Sequence, residues 1–403
     1  MPESHEKKKQ NICMIAYTNY AIDARVRREA ETLASLPEYR VTMLVNKRDA
    51  QPRNFSLEGV QVKELNVAKY RGNSNIRYLF SYIYFLLHAF MVCTTRLLNK
   101  SLDIVHVHNM PNFLVLAAIL PKLFGKKIIL DIHDTVLETY SCKFSTTSIK
   151  WLILSKILYM EEYLSCLLAD RVICVNHIQR DILLKRGIAD SKITVLLNVP
   201  DPKRFPYDGI RVQEHTQSNG FRLVYFGTIA ERLGIDIAIQ AVARLVEKIP
   251  YLEFHIIGEG DQKQDLLKLA RDLHVEHAIR FSEGSVPLED LAEHLENMDL
   301  TIVPNKRNVA TELMLPVKML ESIALGIPVV TSRLKTIEYY FDDDTVFYFE
   351  PENVDSLALS ICNAYDMPSL RADKSSKAKS FLDSYGWNVH KVDLFNLYKS
   401  LFR

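Results

Sequence analysis

The six cysteines (Cys13, Cys93, Cys142, Cys166, Cys174 and Cys362) are scattered and include no Cys-x-x-Cys pair. That spacing is what a zinc ribbon or a dithiol redox site would need. No secretory leader precedes them, so reduced thiols in a cytosolic chain are expected rather than disulfides. The start, MPESHEKKKQ, is polar and gives way directly to an apolar strand, which fits neither a signal peptide nor a membrane anchor. Internal repeats and low-complexity tracts are absent, which excludes solenoids and fibrous folds. Neither a nucleic-acid motif nor a dense arginine–aromatic patch is found, so nucleic acid is not an expected partner.

What is present is ordinary in bulk and uneven in charge. A chain of 403 residues exceeds what one core usually organises, so two domains are expected. The net charge of +1 hides an asymmetry. Residues 1–200 carry 27 Lys+Arg against 18 Asp+Glu, and residues 201–403 carry 23 against 31. A basic first half suggests an anionic partner, and bilayer headgroups suit it better than nucleic acid.

Short apolar runs alternate with helical stretches, the pattern of parallel α/β folding. Strands are expected at 12–16, 41–45, 104–108, 127–132, 171–175 and 193–197, then at 222–226, 253–257, 279–281, 300–303, 328–331 and 346–349. An amphipathic helix at 23–36 carries Arg25, Arg27 and Arg28, read as a solvated face or as contacts for an acceptor phosphate or headgroups. Residues 199–220 have no period and hold three prolines, so they form the linker. Three parts follow: 1–200, 201–385, and a closing helix at 386–403.

The stretch 79–98, LFSYIYFLLHAFMVCTTRLL, is long enough to span a bilayer and is flanked by Arg77, Arg96 and Lys100. A lone span inside an α/β domain would disrupt the sheet. A core helix, or one half buried with an edge on the membrane, is expected instead.

The most informative stretch is 312–332, ELMLPVKMLESIALGIPVVTS. Pro316 suits the first turn of a helix and Gly326 a left-handed cap. Lys318 and Glu321 lie one turn apart on the same side. A helix N-terminus beside a lysine attracts an anion, and a carboxylate one turn further in suits ribose hydroxyls. The pair therefore reads as a nucleoside diphosphate site, or equally as a surface salt bridge. Gly227-Thr228 after a strand, with Arg232 in the same loop, could admit a phosphate to the backbone and add a fixed charge. Ile257-Gly258-Glu259-Gly260 reads mainly as a structural turn.

In the first half, VHVHNMP ends one strand with His106 and His108, and DIHD ends the next with His133 and Asp134. Open sheets bind ligands at such strand ends. His106 reads as a satisfied core group and His133 does not. No Asp/Glu/His set shows metal-ligand spacing, so no metal is expected.

Taken in order, DARVRREAETLA, DIVHVHNMP, ILDIHD, ADRVICVN, ITVLLNVPD, YFGTIAERLG, IIGEG, MDLTIVPN and TELMLPVKMLESIALGIPVV resemble a retaining glycosyltransferase of family 4. The resemblance implies the GT-B fold, with two Rossmann-like doubly wound domains facing an interdomain cleft and a last helix crossing back to the first. It implies a metal-independent hexosyltransferase that takes a UDP- or GDP-linked sugar. Catalytic roles fall on His133, Arg232, Lys318 and Glu312. Donor binding falls on Gly227, Thr228, Arg232, Gly284, Val286, Leu313, Met314, Leu315, Lys318 and Glu321, with the ribose on Glu321. The acceptor or cleft residues are Asp23, Arg25, His108, Asn109, Asp134 and Asn198. The family's first glutamate is replaced by Leu313, with Glu312 one place early, and its usual glycine-loop cations by Thr228 and Leu233. Arg232 and Lys318 restore two positive charges. A lipid-linked glycan acceptor and a peripheral place on the cytoplasmic membrane face are expected. A nucleotide-sugar epimerase and a non-catalytic partner of a polysaccharide assembly complex are the alternatives.

Overall fold

A computed structural model describes residues 9–70, 72, 74–141, 148–207, 220–284 and 286–402. Cys142, Ser285, the first eight residues and most of the expected linker (208–219) lie outside them. The chain divides into two compact units, 1–197 with 390–403, and 198–389.

The first unit is built on β1 (Gln10–Ala16), β2 (Tyr39–Lys47), β3 (Asn54–Leu57), β4 (Val60–Ala68), β5 (Ile104–His108), β6 (Lys127–Ile132), β7 (Arg171–Cys174) and β8 (Ile193–Val195). They form one sheet in the order β3-β4-β2-β1-β5-β6-β7-β8, parallel except for the β3–β4 hairpin. Its helices are α1 (Ala24–Ala34), α2 (Asn75–Leu98), α3 (Ile119–Leu123), α4 (Val136–Ser141), α5 (Ile149–Leu168) and α6 (His177–Lys185). One sheet face packs Ile15, Val107 and Leu130 against Phe85, Ala89 and Cys93 of α2, Leu114 and Val115 ahead of α3, and Cys166 of α5. Alternate strand residues face opposite sides, which is why a fully buried central strand such as IVHVH is apolar or aromatic throughout.

In the second unit, β9 (Phe221–Phe226), β10 (Leu252–Ile257), β11 (Ile279–Phe281), β12 (Leu300–Val303), β13 (Val329–Ser332) and β14 (Phe347–Phe349) form a parallel sheet ordered β11-β10-β9-β12-β13-β14. Its helices are α7 (Ile235–Leu245), α8 (Lys263–Asp272), α9 (Leu291–His294), α10 (Val317–Ala324), α11 (Lys335–Tyr340), α12 (Val354–Asp366) and α13 (Pro368–Tyr385). The order reverses between β9 and β12, and the strand C-termini beside such a switch point are where doubly wound sheets hold ligands. A last helix, α14 (Trp387–Ser400), belongs from His390 onward to the first unit.

Two expectations change. The β3–β4 hairpin was not expected, and the helix carrying Arg25 and Arg28 is no solvated face. Arg25, Arg27 and Arg28 are all buried, because carboxylates from the same helix and from β6 meet the first two.

Candidate active site

In the second unit a cavity of about 500 Å³ opens where β9, β10 and α10 converge. Its floor is two glycine turns pressed together. Gly227 has φ +112° and Gly258 φ +148°, and a Cβ on Gly258 would stand 1.9 Å from the Gly227 carbonyl oxygen. Only glycine permits that approach. The turn at 257–260 is therefore structural as expected, yet Ile257, Gly258 and Glu259 also line the cavity.

Lys318 enters this cavity from the first turn of α10, which Pro316 precedes as an N-cap that makes no side-chain hydrogen bond. Its ammonium lies 3.7 Å above the centre of the Tyr225 ring and is buried without a hydrogen-bond partner among the described residues. Burial pulls its pKa down to about 7; Glu321 opposes that shift and Arg232 adds to it. Such a group is costly to bury unless an anion completes it. Exposed Arg232 lines the same wall, held in a turn that Gly234 closes at φ +66° and that accepts Lys306 N–H at 3.0 Å. Glu321 is buried one turn along α10 and also lines the cavity.

Asn305, which follows β12, was not singled out from the sequence. It is 1 % exposed, lines the cavity, and neither its Oδ1 nor its Nδ2 has a partner among the described residues. Two unpaired buried atoms on one amide leave it free to bond a water or a polar ligand.

The first unit gathers a second polar cluster at the ends of β5 and β6. Asp131, also missed, is its centre. Both of its oxygens accept from Arg25, at 3.1 and 2.8 Å, and Oδ2 also meets His108 Nδ1 at 2.9 Å and His133 Nε2 at 2.8 Å. Burial works to raise the Asp131 pKa, but Arg25 and the imidazoles outweigh it and hold the carboxyl well below its ordinary range. Burial would lower the His133 pKa, and Asp131 reverses that, raising it. Asn109 accepts from His133 N–H at 2.7 Å and donates to the Asp134 carbonyl at 2.8 Å, so it fixes the turn that carries His133. Asp23 caps α1 through Val26 N–H, Asp134 is exposed, and Asn198 opens the second unit. His106 is buried as expected, bonded to Tyr398 of α14 at 2.8 Å.

The family description "Glycosyltransferase Family 4" matches residues 24–204, and "Glycosyl transferases group 1" matches 220–367. The two together take in most of both units. The chain belongs to glycosyltransferase family 4. Among relatives of this family 4 chain, the amylovoran biosynthesis glycosyltransferase AmsK of Erwinia amylovora is 25 % identical over 179 residues, 44 % of this chain and 42 % of that protein. The chain spans about half the length of the curated relatives it matches. Sucrose-phosphate synthase from Thermosynechococcus elongatus superposes with TM-score 0.79 at 16 % identity, covering 98 % of this chain and 99 % of that one. Anabaena Alr3699/HepE in complex with UDP-glucose gives 0.69 at 14 % identity, covering 97 % and 99 %. These neighbours establish the fold as GT-B.

Of the donor residues that the family 4 resemblance implies, Gly227, Thr228, Arg232, Val286, Met314, Lys318 and Glu321 line the cavity. Glu312, Leu313, Leu315 and Gly284 are not among its lining residues. The Glu312 carboxylate instead accepts from Lys335 N–H at 2.6 Å, capping α11, and pairs with Arg307 at 3.0 Å. The absence of a metal-like set also needs correction. Glu29, His106, His108 and Asp131 bring ligand atoms within 4.8 Å of one another. Arg25 lies among them, paired with both carboxylates, and already supplies the positive charge.

Proposed function

We propose that this chain is a retaining, metal-independent glycosyltransferase that moves a hexose from a UDP- or GDP-sugar to a hydroxyl of a lipid-linked glycan in cell-surface polysaccharide assembly. The observation that carries the reading is Lys318, a buried ammonium with no hydrogen-bond partner among the described residues, in a cavity with Arg232 and the Gly227 turn. A diphosphate would complete it. As the glycosidic bond breaks, negative charge grows on the leaving phosphate, and preorganised cations and helix N–H groups stabilise it. The reacting sugar carries oxocarbenium character, and the acceptor hydroxyl gives its proton to the leaving phosphate oxygen. Glu321 would hold the ribose, and His133, held by Asp131, would lie beside the sugar.

Relatives support the donor class. One neighbour was solved with UDP-glucose, and a Mycolicibacterium smegmatis relative is named a GDP-mannose-dependent mannosyltransferase. AmsK is named for amylovoran biosynthesis, which favours a polysaccharide product. Thermal shift with UDP-, GDP- and ADP-sugars, followed by NMR of the product anomer, tests the reading. Stabilisation by one donor, retention, and activity unchanged in EDTA are expected. Turnover of donor alone to an epimeric sugar nucleotide would favour an epimerase.

A further inference from the structure

The helices on one face of the first sheet turn apolar side chains outward as well as inward. Along α2, Ile76, Phe80, Leu87 and Met91 are each more than half exposed. Along α5 the same holds for Ile149, Ile153, Ile157, Met160 and Leu164, a stripe spaced three to four residues apart over the whole helix. Leu123 and Phe124 at the end of α3 continue it. Residues of α2, α5 and the segment before α3 share one core against the same sheet face, so their outer sides point the same way.

The charges on these helices are sorted. Neither α2 nor α3 contains an acid, and the two in α5 turn inward. Glu161 accepts from Asn112 Nδ2 and Phe113 N–H, and Glu162 is buried against Arg186. The exposed charges at this face are basic: Arg77, Lys100, Lys150 and Lys156. An inverted α5, with acids inside and isoleucines outside, is unintelligible as a helix facing water.

We infer that the outer faces of α2, α3 and α5 form a platform that lies on an anionic lipid bilayer. Apolar side chains enter the acyl boundary while the basic rim meets headgroups. A second copy suits the face poorly, because a two-fold contact would oppose cation to cation. Spanning is ruled out for α2 by its own packing: it joins β4 to β5 of one sheet and buries Phe85, Ala89 and Cys93 against that sheet. The inference deepens the proposed function, since a lipid-linked acceptor would be met at this surface, but it stands on separate residues.

Flotation of the full chain with vesicles of phosphatidylglycerol and phosphatidylethanolamine tests it, against phosphatidylcholine alone. Binding to the anionic vesicles that falls with salt is expected, with a loss of roughly tenfold or more in Ile153→Glu/Ile157→Glu and in Phe80→Glu. Leu359→Glu, an exposed position on α12, should change nothing. Unaltered melting temperature and nucleotide affinity in each variant exclude misfolding. No vesicle binding, binding indifferent to these substitutions, or a dimer that Ile157→Glu dissociates would overturn the platform. Vesicle binding by a chain that binds no sugar nucleotide would leave the platform standing and remove the proposed function instead.

Discussion

The Lys318 ammonium lies 3.7 Å over the Tyr225 ring, with no oxygen among the described residues to receive its protons. A cation–π contact compensates only part of the cost of such burial. The free protein therefore holds this site at the expense of stability, and the ligand relieves it.

Replacing Lys318 by Met should lower turnover about 100-fold, as loss of one group on a developing anion typically does. The same substitution should raise the melting temperature of the free chain. The pH sign follows from the lysine pKa falling from 10.5 to about 7 on folding. Between those values the unfolded chain binds the extra proton, so wild-type stability rises with pH across that window relative to the Met variant. Diphosphate binding should take up a proton at pH 8, visible as buffer-dependent heat in calorimetry. A heat independent of buffer ionisation would refute the assignment.

Asn305→Leu should stabilise the free protein by about 1–3 kcal/mol, since it removes two unpaired buried polar atoms. Donor affinity should fall in that variant. Asn305→Asp should be worse by about tenfold or more, because it sets a carboxylate against the diphosphate. Equal donor affinities in all three proteins would show that the amide faces no ligand.

Asp131→Asn should cost about 3–5 kcal/mol, because buried Arg25 loses one of its two carboxylates and His108 and His133 lose their shared anion. The His133 pKa, raised by Asp131, should fall, and imidazole NMR titration reads this directly. The stability that the raised His133 pKa contributes in the wild type is present in full at low pH and is lost as pH rises through it. A His133 titration unmoved by the substitution would break the link between the two residues.

Glu312→Ala should lower stability by about 1 kcal/mol through the lost cap on α11, with nucleotide affinity unchanged. Glu321→Ala should do the reverse and weaken nucleotide binding about tenfold. Calorimetry and thermal melts on both variants separate the roles. Weakened nucleotide binding in the Glu312 variant would return that residue to the site.

The strands were legible because buried parallel strands are near-continuous apolar runs; β5, β6, β11 and β12 have the bounds expected for them. The β3–β4 hairpin escaped because Asn54–Leu57 is an exposed edge with no buried pattern. Lys318 and Glu321 were legible because one helical turn ties their positions together. Arg25 was named as a cleft residue, but its partner Asp131 was not, since the two are 106 residues apart and only the fold brings them into contact. Asn305 stood in a motif already noted, but its amide acquires meaning only where its loop lies against α10. Glu312 was misplaced for the same reason: Lys335, the group it caps, comes from the next strand–helix turn.

Tyr398 reaches His106 across 292 residues of sequence. A ribosome makes His106 long before Tyr398, so the first unit cannot close its buried polar core until the second unit, 198–389, has been synthesised. Until then β5 carries a buried histidine with an unmet bond. Stalled or clipped products that lack α14 should therefore be targets for chaperones and proteases, even with every residue of the sugar-nucleotide cavity already made.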